Sequence, residues 1–284
     1  MTPQPGVRAV GLAVALASAA MFATSGSFAR PLLESGWSPA AAVIVRLGLA
    51  SLVLAPLAAL ALRGRWHVLR EKWRPILMYG LFGGAAVQVA YFNAITYIEV
   101  GVALMLEYLG VVLVVLYVWA RTRRRPGPLT LVGMAVYYVT SAETSGIPPL
   151  AFVSAGLGVG AVALLVAGLT GLVPLRFGTA DVRLFGGTYP WWVPLLELVV
   201  VAAALAYVTG FIAARRLGPT VASFVGLTEV VFAVAWAWLL LGELPGPVQL
   251  LGGTVLLAGV AAVQAGSGRD AERAREELSP AVAP

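Results

Sequence analysis

Cysteine is absent from this chain of 284 residues. Its absence excludes a disulfide framework and any thiolate metal site. Histidine occurs once, as His67, close to Arg65 in a charged loop. One loop imidazole makes neither a metal centre nor a catalytic pair. Charge is scarce as well: 11% of residues are charged, while 60% are hydrophobic and the mean hydropathy is +0.90. A soluble domain of this length needs far more polar residues to cover its surface. No Walker-type phosphate loop is present, so nucleotide hydrolysis is not the energy source. These absences predict an all-α polytopic membrane protein with no catalytic residues, no metal and no cofactor.

The net charge of +6 does not point to nucleic acid. The basic residues sit in short loops between apolar runs, where topology and anionic headgroups account for them. The N-terminal run past Arg8 resembles a secretory signal, with small residues at Ala17-Ser18-Ala19. It has one basic residue before it and continues beyond Phe22, so an uncleaved first helix is expected.

Eight apolar stretches are about as long as a bilayer crossing requires: Val10–Ala29, Pro39–Leu62, Ile76–Tyr97, Val102–Ala120, Leu150–Leu172, Trp191–Ala213, Thr220–Leu241 and Val248–Val263. In lipid their backbone groups must pair internally, which makes them helices. Leu129–Gly146 is different, because its apolar run stops at Val139. If it does not cross, fifteen of the nineteen basic residues fall on the side of the N-terminus. The inside groups are Arg8, the Arg63–Arg74 and Arg121–Arg125 clusters, Arg215 with Arg216, and Arg269, Arg273 and Arg275. Arg30, Arg176 and Arg183 fall outside and Arg46 lies within a span. The positive-inside bias therefore predicts eight full spans, a short or re-entrant segment at 129–149, and both termini in the cytoplasm. The rival is a ninth, tilted span with the C-terminus outside.

The chain also repeats itself. "VALMLEYLGVVLVVLYVWARTRRRPGPLTLVGMAV" from Val102 aligns without a gap to "VASFVGLTEVVFAVAWAWLLLGELPGPVQLLGGTV" from Val221, an offset of 119. Trp119 meets Trp238, and Pro126-Gly127-Pro128 meets Pro245-Gly246-Pro247. The first copy carries Arg-Thr-Arg-Arg-Arg before its Pro-Gly-Pro and the second carries Leu-Leu-Gly-Glu-Leu. Positive charge puts the two turns on opposite sides, which marks an inverted-topology repeat of the kind secondary transporters use. The organisation expected is a first repeat at 1–128 with four spans, the shortened segment at 129–149, a second repeat at 150–265 with four spans, and a charged cytoplasmic tail at 266–284.

Three stretches carry a resemblance to a known family: "YFNAITYIEVGVALMLEYLGVVLVVLYVW" (Tyr91–Trp119), "SPAAAVIVRLGLA" (Ser38–Ala50), and "LTEVVFAVAWAWLLLGELPGPVQLLGGTVLLAGV" (Leu227–Val260). The chain resembles the EamA-type ten-helix exporters of the drug/metabolite transporter superfamily. Leu241-Gly242-Glu243, with Gln249 and Gly252 following, is the most specific match. The resemblance implies two five-helix inverted repeats and export of small metabolites, often amino acids. The chain departs from the pattern between Leu129 and Pro149, where about forty residues, the equivalent of a helical hairpin, are missing.

Charged groups at membrane depth are functional candidates by default. Glu107, with Tyr108 beside it, can face a cavity and bind an amine or a proton, or stand hydrated at the interface. Glu229 lies in the corresponding part of the second copy and is a substrate or gating candidate. Glu197, near Trp191 and Trp192, is expected to anchor at the interface. Arg46 is expected to snorkel to the outer interface or to pair with a carboxylate, and binding a substrate carboxylate is its functional alternative. Gln88 and Tyr91 share one face of their helix and Asn93 points away; helix–helix bonding and cavity lining are both open to them. Trp236 and Trp238 can wall a pocket or face lipid. Thr24, Ser25, Gly26 and Ser27 form a polar patch that is either a gate or close packing.

The sequence thus predicts a secondary transporter of the cell membrane, an exporter of small metabolites such as amino acids working by alternating access. Its partners are a small-molecule substrate, the lipid bilayer and a coupling proton. An inactive, truncated family member is the alternative. A multidrug exporter and a membrane-embedded lipid enzyme fit less well, since no acid stands mid-way in the first helix and no His, Asp or Ser cluster exists.

Overall fold

A computed structural model of the chain describes residues 5–109, 146–244, 246–247, 250–255 and 258. The described elements are α1 Pro5–Glu34, α2 Pro39–Leu62, α3 His67–Glu71, α4 Trp73–Ala94, α5 Val100–Leu109, α6 Pro149–Leu169, β1 Val182–Leu184, β2 Gly187–Tyr189, α7 Trp192–Leu217, α8 Pro219–Gly226 and α9 Thr228–Leu241, with further helical residues at 250–255. Five are long and apolar enough to cross a membrane, namely α1 from Ala9, α2, α4, α6 and α7. The protein is an all-α polytopic membrane protein.

The helix limits follow local chemistry. Ser38 caps α2 by accepting a hydrogen bond from the Ala41 N–H, and Pro39 opens it where a missing N–H costs nothing. Its limits are those expected from the sequence. The third span begins three residues earlier than predicted, at Trp73, and ends in a turn over Ile95–Glu99. The span expected at Thr220–Leu241 is interrupted at Leu227, giving α8 and α9. The predicted segment at Leu129–Gly146 lies outside the described residues, as do the remainder of Val102–Ala120 and most of Val248–Val263.

The hairpin was not anticipated. Its two-residue turn, Phe185-Gly186, has positive φ at both positions (52° and 72°), the twist that suits paired strands. Val182 and Leu184 are buried, and the Phe185 ring meets Phe28 of α1 at 6.2 Å. Upstream of it, the Trp37 indole donates to the Gly178 carbonyl (2.7 Å) and Ser38 accepts from the Arg176 N–H (3.0 Å).

The chain packs as two compact units, Met1–Leu104 with Glu143–Pro245, and Met105–Ala142 with Gly246–Pro284. In the second, Gly253 leaves room for the Met105 thioether, whose sulfur stands 2.7 Å from where a Cβ would lie. In the first, one apolar core runs from the end of α1 through α2, α4, α6 and the hairpin to α7. Its two ends differ in charge. Arg63, Arg65, Arg70, Lys72, Arg74, Arg215 and Arg216 gather at the end where α2 and α7 stop and α4 starts. The hairpin, Arg30, Glu34, Glu99 and Glu243 mark the opposite end. Val100 opens α5 at the hairpin end, while Pro149 opens α6 at the basic end, next to Leu62 and Ile76.

The offset of 119 recurs in the structure. It maps Trp73, which opens α4, onto Trp192, which opens α7. It maps Val100, which opens α5, onto Pro219, which opens α8. Both long helices also widen in the middle to i→i+5 hydrogen bonding. In α4 this covers Tyr79–Ala86, which the offset carries to Leu198–Leu205, and in α7 it covers Val200–Leu205. Such stretches strain the helix and concentrate at functional positions.

Small residues bring α2, α4 and α6 together. A Cβ on Gly80 would stand 2.6 Å from the Gly156 carbonyl, and one on Gly160 would stand 2.7 Å from the Gly80 carbonyl. The two backbones therefore touch, as small residues permit in membrane bundles. Ser51 and Ser154 bond reciprocally across α2 and α6, each hydroxyl donating to the other's carbonyl (2.7 and 3.0 Å). Gly160→Ala forces these backbones apart and is expected to cost about 1–3 kcal/mol, as overpacking does. Gly226→Ala, with open space around it, is expected to be neutral or stabilising. Thermal unfolding of the two variants in detergent checks the contrast; equal midpoints would sink the packing account.

Candidate functional site

Arg46 lies in the third turn of α2, where lipid or protein must surround it. It does not snorkel. It is 3% exposed, and its guanidinium points into the bundle. One Nη donates to Gln88 Oε1 of α4 (2.6 Å) and the other to the Ala202 carbonyl of α7 (3.1 Å). The Phe92 ring lies 5.6 Å from its central carbon, within reach of a cation–π contact. Ala202 sits in the widened part of α7, where regular i→i+4 bonding is given up, and its carbonyl serves Arg46.

Every one of these partners is neutral. Among the described residues no carboxylate lies within ion-pair distance of Arg46, and its Nε is buried without a partner. A buried cation normally has a carboxylate or a full set of acceptors around it, because desolvating it alone is costly. Glu197, Glu229, Tyr91 and Tyr207 are within electrostatic reach of the guanidinium and do not neutralise it by contact. What remains is a buried guanidinium held by neutral groups between three helices.

Glu197 corrects an expectation. It was expected at the interface, but its carboxyl turns inward. Oε1 accepts from the Thr24 hydroxyl of α1 at 2.5 Å, and Oε2 is buried with no partner among the described residues. Trp192 is exposed and takes the outward side of this turn. One cue lies in the spacing: Glu197 follows Trp192 by five residues, more than a helical turn, so the two need not share a face.

Thr24, Ser25 and Ser27 of α1 are all buried, and the Ser25 and Ser27 hydroxyls lack partners among the described residues. Gly26 between them admits the Tyr91 hydroxyl and Val100 against the α1 backbone. Tyr79, in the widened part of α4, and Tyr207, two residues past the widened part of α7, have their hydroxyls 3.4 Å apart, and Phe22 packs edge-on against Tyr207. The polar patch of α1 is thus both close packing and part of the polar interior.

The other candidates divide between the surroundings of Arg46 and other parts of the bundle. Gln88 and Tyr91 are half-buried on the inner side of α4, whereas Asn93 is exposed. The Trp236 indole donates to the Ala20 carbonyl and fastens α9 to α1. Glu229 is half-buried in the first turn of α9. Glu107 is exposed on α5 and Tyr108 half-buried, both in the second unit.

Polar contacts also gather at the hairpin end. Arg30 forms an ion pair with Glu243, bonds Glu34 one turn on (3.2 Å) and reaches the Ile98 carbonyl (3.4 Å). The second oxygen of Glu243 accepts from the Val100 N–H (3.0 Å), which caps the start of α5. Gly242, at φ 72°, makes the left-handed turn that brings Glu243 there. The Leu-Gly-Glu motif therefore joins α1, α5 and α9 at one point. A cleft of about 410 Å³ lies beside it, between Glu34, Arg183, Phe185 and Leu240.

No curated protein and no solved structure matches the chain. Two stretches, residues 9–142 and 134–264, match the model of the EamA-like transporter family. Together they cover most of the sequence. Apolar crossing helices, a repeat that recurs in the structure, and a buried polar interior with an unneutralised cation agree with that match. The chain belongs to the EamA-like transporter family, membrane transporters of small molecules.

Proposed function

We propose that this protein exports a small metabolite bearing a carboxylate, an amino acid being the simplest member of the class, by alternating access between its two repeats. One observation carries the reading: Arg46 is buried between α2, α4 and α7, and among the described residues it holds only neutral partners and its Nε has none. A substrate carboxylate supplies the missing negative charge and acceptor. Arg suits this role because its planar fork binds a carboxylate through two parallel donors. Gln88 and Ala202 hold the fork from the sides it does not offer to substrate.

The basic end of the bundle is the cytoplasmic side by the positive-inside bias, and the hairpin end is the outer side. The test is counterflow in liposomes. Vesicles loaded with one unlabelled amino acid accumulate its labelled form, across a panel of amino acids and the amines made from them by decarboxylation. Accumulation of at least one amino acid, with no accumulation of its decarboxylated amine, is expected. Equal movement of both discards the Arg46 reading. No movement under any gradient returns the chain to the inactive alternative.

A further inference from the structure

The hairpin end carries an arginine that no described residue engages. Three of the nineteen basic residues, Arg30, Arg176 and Arg183, fall on this side, against the usual bias. Arg30 is engaged by Glu34 and Glu243. Arg183 is not. It lies in the middle of β1, opposite Thr188 of β2, and is exposed between the buried Val182 and Leu184. Among the described residues no carboxylate forms an ion pair with it, Asp181 two positions earlier included.

Arg183 lines the cleft of about 410 Å³ between the hairpin, the last turns of α1 and the end of α9. That volume lies in the range of small-molecule pockets, about 300–1,000 Å³. The walls differ in chemistry. Phe185 and Leu240 form an apolar wall, and Arg183 supplies an unneutralised guanidinium. Glu34 supplies a carboxylate that meets Arg30 through Oε1 alone and keeps 68% of its side chain exposed. The Arg30–Glu243 pair borders the same cleft, so the space adjoins the contact that ties α1 to the end of α9. A cation, a reachable carboxylate and an apolar wall in one cleft match the three parts of an amino acid with an apolar side chain.

We propose that this cleft is a second substrate site at the hairpin end, in which Arg183 binds the substrate carboxylate, Glu34 its ammonium group, and Phe185 with Leu240 its apolar side chain. This rests on the reading above, in which a carboxylate-bearing metabolite crosses on Arg46. A substrate that leaves Arg46 and passes the opened Arg30–Glu243 contact meets Arg183 as the next guanidinium without a carboxylate. Arg183 and Glu34 are exposed, so water and salt screen them and the cleft binds more weakly than the buried arginine. A shallow site of this kind holds the substrate briefly and lets it go.

The chain has no cysteine, so one thiol placed in the cleft reports its occupancy without any transport step. Leu241→Cys supplies it, at a half-buried position that lines the cleft. The probes are the amino acids of the counterflow panel and their decarboxylated amines, added to the purified protein. At least one amino acid is expected to slow the reaction of the thiol with a maleimide, and its amine is expected to leave the rate unchanged. Arg183→Gln is expected to raise the protecting concentration about three- to tenfold, the size of a partly screened charged contact. Arg176→Gln makes the same charge change at an exposed position outside the cleft and is expected to leave that concentration as it was. Protection is also expected to survive Arg46→Met, because the cleft does not include that arginine. Unchanged protection in Arg183→Gln overturns the proposal, as does an equal rise in Arg176→Gln. Loss of protection in Arg46→Met overturns it too, since the buried site then causes the slowing. Protection in a protein that transports nothing overturns the transport reading and leaves the cleft standing. Transport with no protection by any amino acid overturns the cleft and leaves transport standing.

Discussion

Arg46→Met is expected to abolish counterflow while leaving the fold intact. Losing a buried charge pair with the substrate costs about 2–5 kcal/mol, or about 30-fold to several thousand-fold in affinity. Stability should respond differently. Most buried ionic groups cannot be removed singly, because a charged partner is then left behind. Arg46 leaves only an amide and a backbone carbonyl, Gln88 Oε1 and Ala202 O. Those two unpaired acceptors cost about 1–3 kcal/mol each, and relief from holding an unneutralised cation offsets them. The thermal midpoint of Arg46→Met should therefore stay close to that of the wild type. Arg46→Lys keeps the charge but cannot reach Gln88, Ala202 and a substrate with one planar fork. It is expected to retain weak transport with a raised KM. Substrate-dependent uptake and thermal unfolding, measured on the same preparations, check both halves. A variant that unfolds would make Arg46 a structural residue, and one that transports normally would remove it from the site.

The contrast between Arg46 and Glu197 shows how far the sequence could be read. The apolar runs located five crossing helices, since hydrocarbon leaves no alternative for the backbone. Ser38 and Pro39 fixed the start of α2, because a cap and an N1 proline are local devices. Helical spacing put Gln88 and Tyr91 on one face and Asn93 away from it, since that depends on the 3.6-residue period alone, and the structure turns the shared face inward. What failed depended on distant partners. The length of Arg46 allows snorkelling or a pair with a carboxylate, with a substrate carboxylate as the alternative partner, and the structure shows neither snorkelling nor a carboxylate in contact among the described residues. Its true position is set by Gln88, 42 residues away, and by a carbonyl on α7, 156 residues away. Glu197 was assigned to the interface by its neighbours Trp191 and Trp192, but Thr24, 173 residues earlier, draws it inward. The widened turns of α4 and α7 leave no composition signal: one is Gly-rich, the other Ala- and Val-rich. Only the shared offset links them. The Leu-Gly-Glu motif was visible at once as a family mark. Its work, capping α5 and binding Arg30, needed the third dimension.

Glu243→Ala is expected to open the hairpin end of the bundle. Glu243 has two tasks there, the ion pair with Arg30 and the cap on the Val100 N–H. The pair is partly buried, with side-chain exposures of 26% and 14%, so it falls between a surface pair, at most about 1 kcal/mol, and a buried one, at about 3–5 kcal/mol when broken. The cap adds about 0.5–2 kcal/mol. Arg30→Gln removes only the pair, because Glu243 can still accept from Val100. The ordering expected is Glu243→Ala, then Arg30→Gln, then wild type, in the fraction of molecules open at this end. Having no native cysteine makes this measurable. Ser27→Cys places a thiol close to the size of the hydroxyl it replaces, one turn below Arg30, at a position with 0% exposure. In intact cells a membrane-impermeant maleimide should label it slowly. It should react faster by about tenfold for each 1.4 kcal/mol removed from the closed state. Combining Arg30→Glu with Glu243→Arg restores opposite charges but not the carboxylate cap, so it should slow labelling only to near the Arg30→Gln rate. If all four backgrounds label at one rate, the contact is a fixture of the bundle, and closure at this end must come from the hairpin and α1. If labelling occurs only from the cytoplasmic side, the assignment of the hairpin end to the outer face is reversed.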